Sequence, residues 1–138
     1  MAGSIAQKLG VKTGSRAIFV HAPKEAVEAI DPPALDVAER LTGAFDYIHL
    51  FAKDSETFKH DFPKLKAHLK PTGMLWVSWP KGGKLDTDLS ITRVIKLGYD
   101  FGLVESKTIS INETWSAIKF THPKAGKTYK NSYGKLKS

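Results

Sequence analysis

VESKTISI at residues 104–111 and TWSAIKFTH at residues 114–122 decide the architecture of this chain. Both runs are rich in β-branched and aromatic residues, and only Asn112-Glu113 separates them, the pattern of an antiparallel hairpin. The sequence before them reads differently. The strand Arg16–His21 in VKTGSRAIFVHAP, FDYIHLFAK (45–53) and MLWVSW (74–79) are near-continuous apolar runs, as expected of strands covered on both faces. Helical segments alternate with them. KEAVEAI (24–30) follows Pro23, a residue suited to a first helical turn, and Asp31-Pro32-Pro33 ends it. From Asp54 or Ser55 onward, Phe58, Phe62, Leu65 and Leu69 fall at helical spacing on one face. Pro63 is expected to kink that helix or split it, with Asp61 capping the second piece. A further helix, capped by Asp86 or Thr87, carries Leu89, Val94, Ile95, Leu97 and Phe101 and closes at Gly102.

Shorter pieces fill the gaps. SIAQKL (4–9) suits a turn or two of helix closed by Gly10. ALDVAERL (34–41) leans to a short strand, and Pro71-Thr72-Gly73 reads as a turn. No internal repeat is visible. Strand–helix alternation implies parallel strands with right-handed crossovers, to which the terminal hairpin adds an antiparallel strand. The expected fold is therefore α/β: a single Rossmann-like three-layer domain over residues 1–122, its mostly parallel sheet ending in an antiparallel hairpin.

Composition narrows the function classes. A chain of 138 residues fits one domain and can bury a core without staples. The absence of cysteine excludes disulfides and thiolate metal sites. The N-terminal MAGSIAQKLGVKTG has no apolar stretch of the leader type, and no later run approaches membrane-spanning length, so the expected location is the cytoplasm. The formal charge of +7 is unevenly spread: from Lys119 onward there are six lysines and no acid. Residues 123–138 are accordingly read as a basic tail, expected to be disordered.

The order of elements resembles the class I methyltransferase fold, in which the final strand inserts antiparallel to its neighbours. A second resemblance is carried by residues: KLGVKTGSRAIFVHAP, GMLWVSWPK, Asp88-Leu89, Gly102-Leu103-Val104, Lys107 and ETWSAIKF. These are similar to a family of small bacterial proteins built on a domain of unknown function. The resemblance implies a methyltransferase-like fold and brings no activity with it.

In open α/β sheets ligands bind beyond the carboxyl ends of the strands. There this sequence places His21, Lys53, Trp79 and Lys81, and the hairpin turn adds Glu113 and Trp115. These are the candidate ligand-binding residues. A methyltransferase would need glycines after its first strand so that backbone can approach the cofactor, yet HAPKEA contains none. The acid available near the second strand is Glu39. No cofactor is therefore expected, and catalytic methyl transfer is disfavoured. In WPKGGK the amides around Gly82-Gly83, with Lys81 and Lys84, could cradle an anion. Asp86 and Asp88 stand where a phosphate would approach, and a plain strand-to-helix loop is the better reading. Trp79 and Trp115 would either flank a pocket or cap the edge of the sheet. His21 is as readily a hydrogen-bonded structural histidine, and Glu113 would act as acid or base or cap the turn. No metal site is expected, since the histidines do not cluster.

The leading reading is a binding or scaffold module without catalysis, holding a small anionic ligand at the rim or an unidentified protein partner. A divergent transferase is an alternative. Another is weak nonspecific nucleic-acid binding through Lys124, Lys127, Tyr129, Lys130, Tyr133, Lys135 and Lys137, where lysines attract phosphate and tyrosines stack on bases.

Overall fold

The computed structural model describes residues 4–124. Lys127, Tyr129, Lys130, Tyr133, Lys135 and Lys137, and with them nearly all of the expected tail, lie outside the described residues. The elements are α1 (Ile5–Leu9), β1 (Arg16–Val20), α2 (Lys24–Ile30), β2 (Asp36–Val37), β3 (Phe45–Phe51), α3 (Ser55–Lys66), β4 (Leu69–Pro80), α4 (Ile91–Asp100), β5 (Val104–Ser110) and β6 (Trp115–Thr121), with a 3-10 turn at Lys81–Asp86. The six strands form one sheet in the order β2-β1-β3-β4-β6-β5. β1 to β4 run parallel to one another, and β6 lies antiparallel between β4 and β5. The expected α/β class and the antiparallel end of the sheet are both present.

The sheet separates two cores. On one face α3 and α4 cover Ile48, Leu50, Leu75, Val77, Trp79 and Phe120. On the other, the shorter α1 and α2 cover Ala17, Tyr47, Phe51, Trp76 and Trp115. α1 is only five residues long, but Ser4 and Gln7 form a reciprocal capping box at its start, and Gly10 closes it at φ 79°. Trp76, fully buried, donates its indole N–H to the Leu9 carbonyl, 3.1 Å away, and pins that helix to β4.

Several local expectations need correction. Pro63 does not split α3, which runs unbroken through it. The proline faces solvent while Phe62 stacks on Phe58 at 4.6 Å and meets Phe120 edge-on, so buried aromatic packing offsets the lost backbone hydrogen bond. Asp61 therefore caps nothing; Asp54 caps α3 by accepting from the Thr57 amide. Pro71-Thr72-Gly73 is not a turn but the bulged part of β4, where five residues of β4 advance against two of β3 between the Phe45–Leu69 and Tyr47–Met74 pairs. Glycine is required there, because a Cβ on Gly73 would stand 2.8 Å from the Phe45 carbonyl oxygen. α4 starts later than expected, at Ile91 behind the Ser90 cap. Leu85 and Asp86 both take φ 56°, which ends the turn without opening a helix. Asp88 instead reaches across to α3, where its carboxylate accepts from the amide of Ser55 at 2.8 Å and from its hydroxyl. Of residues 34–41, only Asp36–Val37 pair as a strand.

Candidate functional site

The chain leaves β1 toward β2 on one side and leaves β3 toward β4 on the other, so the sheet's topological switch point lies between β1 and β3. A cleft of about 600 Å³ opens there, lined by His21, Glu25, Phe51, Lys53, Thr57, Leu85 and Trp115 among others. Its floor is apolar. Phe51 and Trp115, both buried, meet edge-to-face with centroids 5.2 Å apart. Lys53 stands two residues beyond Phe51 and so continues the same side of β3 to the mouth. His21 follows the last residue of β1 and takes the left-handed region at φ 58°, unusual for a residue with a Cβ. Leu85, 56% exposed and also left-handed, hangs over the opening from the 3-10 turn. Glu25, on the first turn of α2, supplies an acid to the same mouth.

His21 is tied down from behind. Its Nε2 lies 2.9 Å from Asp61 Oδ2, and the other carboxylate oxygen of Asp61 lies 3.0 Å from Nδ1 of His60. Burial alone would push the Asp61 carboxyl up, but the hydrogen bonds from His60 and then His21 outweigh it and hold the group below the usual carboxylate range. α3 thus presents a carboxylate that orients the imidazole at the end of β1.

The sequence-derived candidates do not form one group. His21, Lys53 and Trp115 share the switch-point cleft. Trp79 and Lys81 line a separate cleft of about 380 Å³, together with Gly82, Gly83 and Leu89. Trp79 therefore does not flank a pocket with Trp115. It pairs in register with Ser116, whereas Trp115 pairs with Pro80, and this offset of one residue sends the two indoles to opposite faces. Glu113 lines neither cleft, and it does not cap the turn: Asn112 Oδ1 does so, accepting from the amides of Thr114 and Trp115 at 2.9 Å each.

The WPK and ETW segments do meet at the rim, as a mutual brace. The Lys81 amide donates to the Thr114 carbonyl at 2.8 Å, Lys81 Nζ to Ser110 Oγ, and Lys84 Nζ to the Glu113 carbonyl at 2.7 Å. These contacts fasten the Gly82-Gly83 loop to the hairpin, and Ser90 and Ile91 at the start of α4 line the same cleft. Among the described residues, no group of three or more His, Asp or Glu side chains could hold a metal ion.

Below the cleft floor lies a polar chain that sequence reasoning missed. The Tyr47 hydroxyl is 2.6 Å from His49 Nδ1, and His49 Nε2 is 2.7 Å from Ser78 Oγ. All three residues are fully buried, and the His49 ring stacks on Phe51 at 4.5 Å. Burial pushes the imidazole down to about 3 and the Tyr47 phenol well up, so the histidine is neutral and serves both neighbours at once. The available signal was a polar residue inside each of two apolar runs, FDYIHLF and MLWVSW.

No protein-family model and no curated protein matches this chain. Solved structures do. The ribosomal protein L11 methylase of Lactobacillus delbrueckii subsp. bulgaricus matches at 11% identity over 86% of this chain and 74% of that one, with a TM-score of 0.54. The fold is that of the methyltransferases. A TehB-like SAM-dependent methyltransferase from Corynebacterium glutamicum (10% identity, 87% and 88% of the two chains, TM-score 0.53) and the N-methyltransferase NodS of Bradyrhizobium japonicum (12% identity, 87% and 91%, TM-score 0.55) share it. At such identities the likeness extends to the fold alone. No helix among the described residues is long and apolar enough to cross a membrane.

Proposed function

We propose that the domain is a binding module of methyltransferase-like fold whose switch-point cleft takes a small anion carrying a ring or other apolar body. One observation carries this reading: an apolar floor of Phe51 and Trp115 lies under a mouth bearing Lys53 and His21. Lys53 makes no ion pair among the described residues, so its charge is open to a ligand. Glu25 on the far side would accept from a hydroxyl or amine of the same molecule. S-Adenosylmethionine, the group that the SAM-dependent neighbour's name brings to mind, does not fit the residues present. His21-Ala22-Pro23 occupy the turn where backbone would have to approach it, and Glu39 is exposed beyond a β2 of only two residues.

A divergent transferase on the same rim is favoured by one feature, the imidazole of His21 oriented by Asp61, which can accept a proton. Amide NMR titration with adenosine 5′-monophosphate, 4-nitrophenyl phosphate and S-adenosylhomocysteine, each to about 1 mM, where a site worth roughly 4 kcal/mol registers, tests both readings. Saturable shifts at His21, Lys53, Thr57 and Thr114 with either phosphate, lost in Lys53→Ala, are expected. Shifts with S-adenosylhomocysteine alone would favour the transferase. Silence with all three would remove the binding reading.

A further inference from the structure

The chain has five histidines, and their ring nitrogens are used in different ways. His49 has both engaged inside the core. His60 has both engaged at the surface, Nδ1 on Asp61 and Nε2 accepting from Lys64 Nζ at 3.1 Å. His68 and His122 each rest one nitrogen on a neutral backbone carbonyl, of Gly43 and Leu69 respectively. His21 combines three properties that the others do not share. One nitrogen lies on a carboxylate, the other has no partner among the described residues, and the residue lines the switch-point cleft.

Asp61 decides which nitrogen of His21 is nucleophilic. An ionised carboxylate only accepts, so Nε2, 2.9 Å from Asp61 Oδ2, carries the proton, and the lone pair of the neutral ring falls on Nδ1. Burial pushes the Asp61 carboxyl up, yet the hydrogen bonds from His60 and His21 hold it below the usual range, so the carboxylate stays charged at neutral pH. The His21 side chain is 57% exposed, which leaves Nδ1 within reach of a molecule in the cleft. A nucleophile whose ring is oriented by a third group through its other nitrogen is the arrangement that covalent chemistry at histidine requires.

The groups around that nitrogen say what it would attack. Lys53, beyond the end of β3, makes no ion pair among the described residues and offers its charge to an anion. Glu25, on the first turn of α2, offers the opposite charge to the same cleft. Thr57 and Thr114 add hydroxyls between them. A cleft with one lysine and one glutamate suits a molecule that carries both an anionic and a cationic group.

We propose that His21 is a phosphoryl acceptor: its Nδ1 takes the phosphoryl group of a phosphoramidate bound in the switch-point cleft, with Lys53 on the phosphoryl oxygens and Glu25 on the departing amine. The inference rests on the reading of that cleft as an anion site. The Nδ1 lone pair forms the new N–P bond as the donor's P–N bond breaks. The donor nitrogen, protonated in the zwitterionic phosphoramidate, leaves with that electron pair as a neutral amine. The ring keeps its Nε2 proton and becomes a phosphorylated imidazolium, whose positive charge faces the Asp61 carboxylate. No further reactant enters the step. Phosphate esters and acyl phosphates have no cationic leaving nitrogen for Glu25 to pair with, so compounds with a P–N bond are the class that fits.

The test is incubation of the full chain with potassium phosphoramidate near neutral pH. Peptide mass spectrometry under alkaline conditions locates the phosphoryl group, and phosphorus NMR of the protein assigns the nitrogen. His21 is expected to be labelled on Nδ1, at least about tenfold faster than His60, His68 or His122, because charge stabilisation aimed at the reacting group is present only there. Lys53→Ala and Asp61→Asn, each with wild-type circular dichroism, should slow labelling of His21 at least about tenfold and leave that of His68 and His122 unchanged. Equal labelling of His21 and the other exposed histidines, labelling of His21 on Nε2, or a rate indifferent to Lys53→Ala would overturn the proposal. Amide shifts with adenosine 5′-monophosphate or 4-nitrophenyl phosphate, without labelling of His21, would overturn it too and leave the binding reading standing. Selective labelling in a cleft that stays silent to both esters would support it and remove the ring-bearing anion from the binding reading.

Discussion

The buried chain Tyr47–His49–Ser78 makes the stability of this domain depend on pH in a way that can be worked out in advance. His49 is fully buried, and its imidazole titrates near 3 rather than near the ordinary 6.5 because burial penalises the charged form. The unfolded chain therefore binds a proton at a pH where the native state does not. The stability it contributes is fully present above pH 6.5 and is lost as pH falls from there toward the native value. Integrating the linkage relation between pH 7 and pH 5 gives about 2 kcal/mol lost from this one residue, and any native value below about 4 gives nearly the same figure. That is a large share of the stability of a small domain. The comparison protein is the triple variant Tyr47→Phe/His49→Leu/Ser78→Ala, which removes donor and acceptor partners together and leaves no orphaned polar group. Urea denaturation, followed by the fluorescence of the three tryptophans at pH 7, 6 and 5, should show wild type losing about 2 kcal/mol more than the triple variant. Parallel pH profiles would refute the reasoning and mean that His49 is solvated or protonated in the native state.

Other outcomes follow from the same contacts. Trp79→Ala should cost about 3–5 kcal/mol in urea denaturation, because the side chain sits in the α3–α4 core, while leaving the rim titration unchanged. Gly98→Ala would ordinarily strengthen a helix by about 1 kcal/mol. Here the new Cβ would stand 2.0 Å from the buried Phe120 ring, so the melting temperature should fall, and a rise would mean that the ring can move aside. Asp61→Asn should flatten the acid limb of the stability profile below about pH 4, since the contribution of a carboxyl held below its ordinary value is present above that value and lost as pH falls through the native one. An unchanged acid limb would mean that His21 and His60 do not hold that carboxylate in solution.

The layered order of the fold was readable because each buried strand is a long apolar run and the hairpin announces itself by its short polar turn. Local breaks were not, because their outcome depends on partners far along the chain. Pro63 stays in its helix only because Phe62 packs on Phe58 and Phe120, and Pro71 stays in its strand only because β3 tolerates a bulge opposite. The rim was half legible. His21, Lys53 and Trp115 could be placed from strand ends alone. Whether Trp79 and Trp115 share a face depends on hairpin register, and a shift of one residue reverses the answer. Asp61 was invisible because its partner His21 is 40 residues away.

The position of β6 also has a consequence for synthesis. β5 precedes β6 in the chain but has no strand to pair with until β6 exists, and one edge of β4 stays open for the same interval. On a ribosome adding roughly 5–20 residues each second, both strands wait with unpaired amides and carbonyls until residue 121 has been joined. The nascent chain is therefore most exposed to aggregation just before β6 emerges. A stop shortly before Trp115 would leave that hazard permanent.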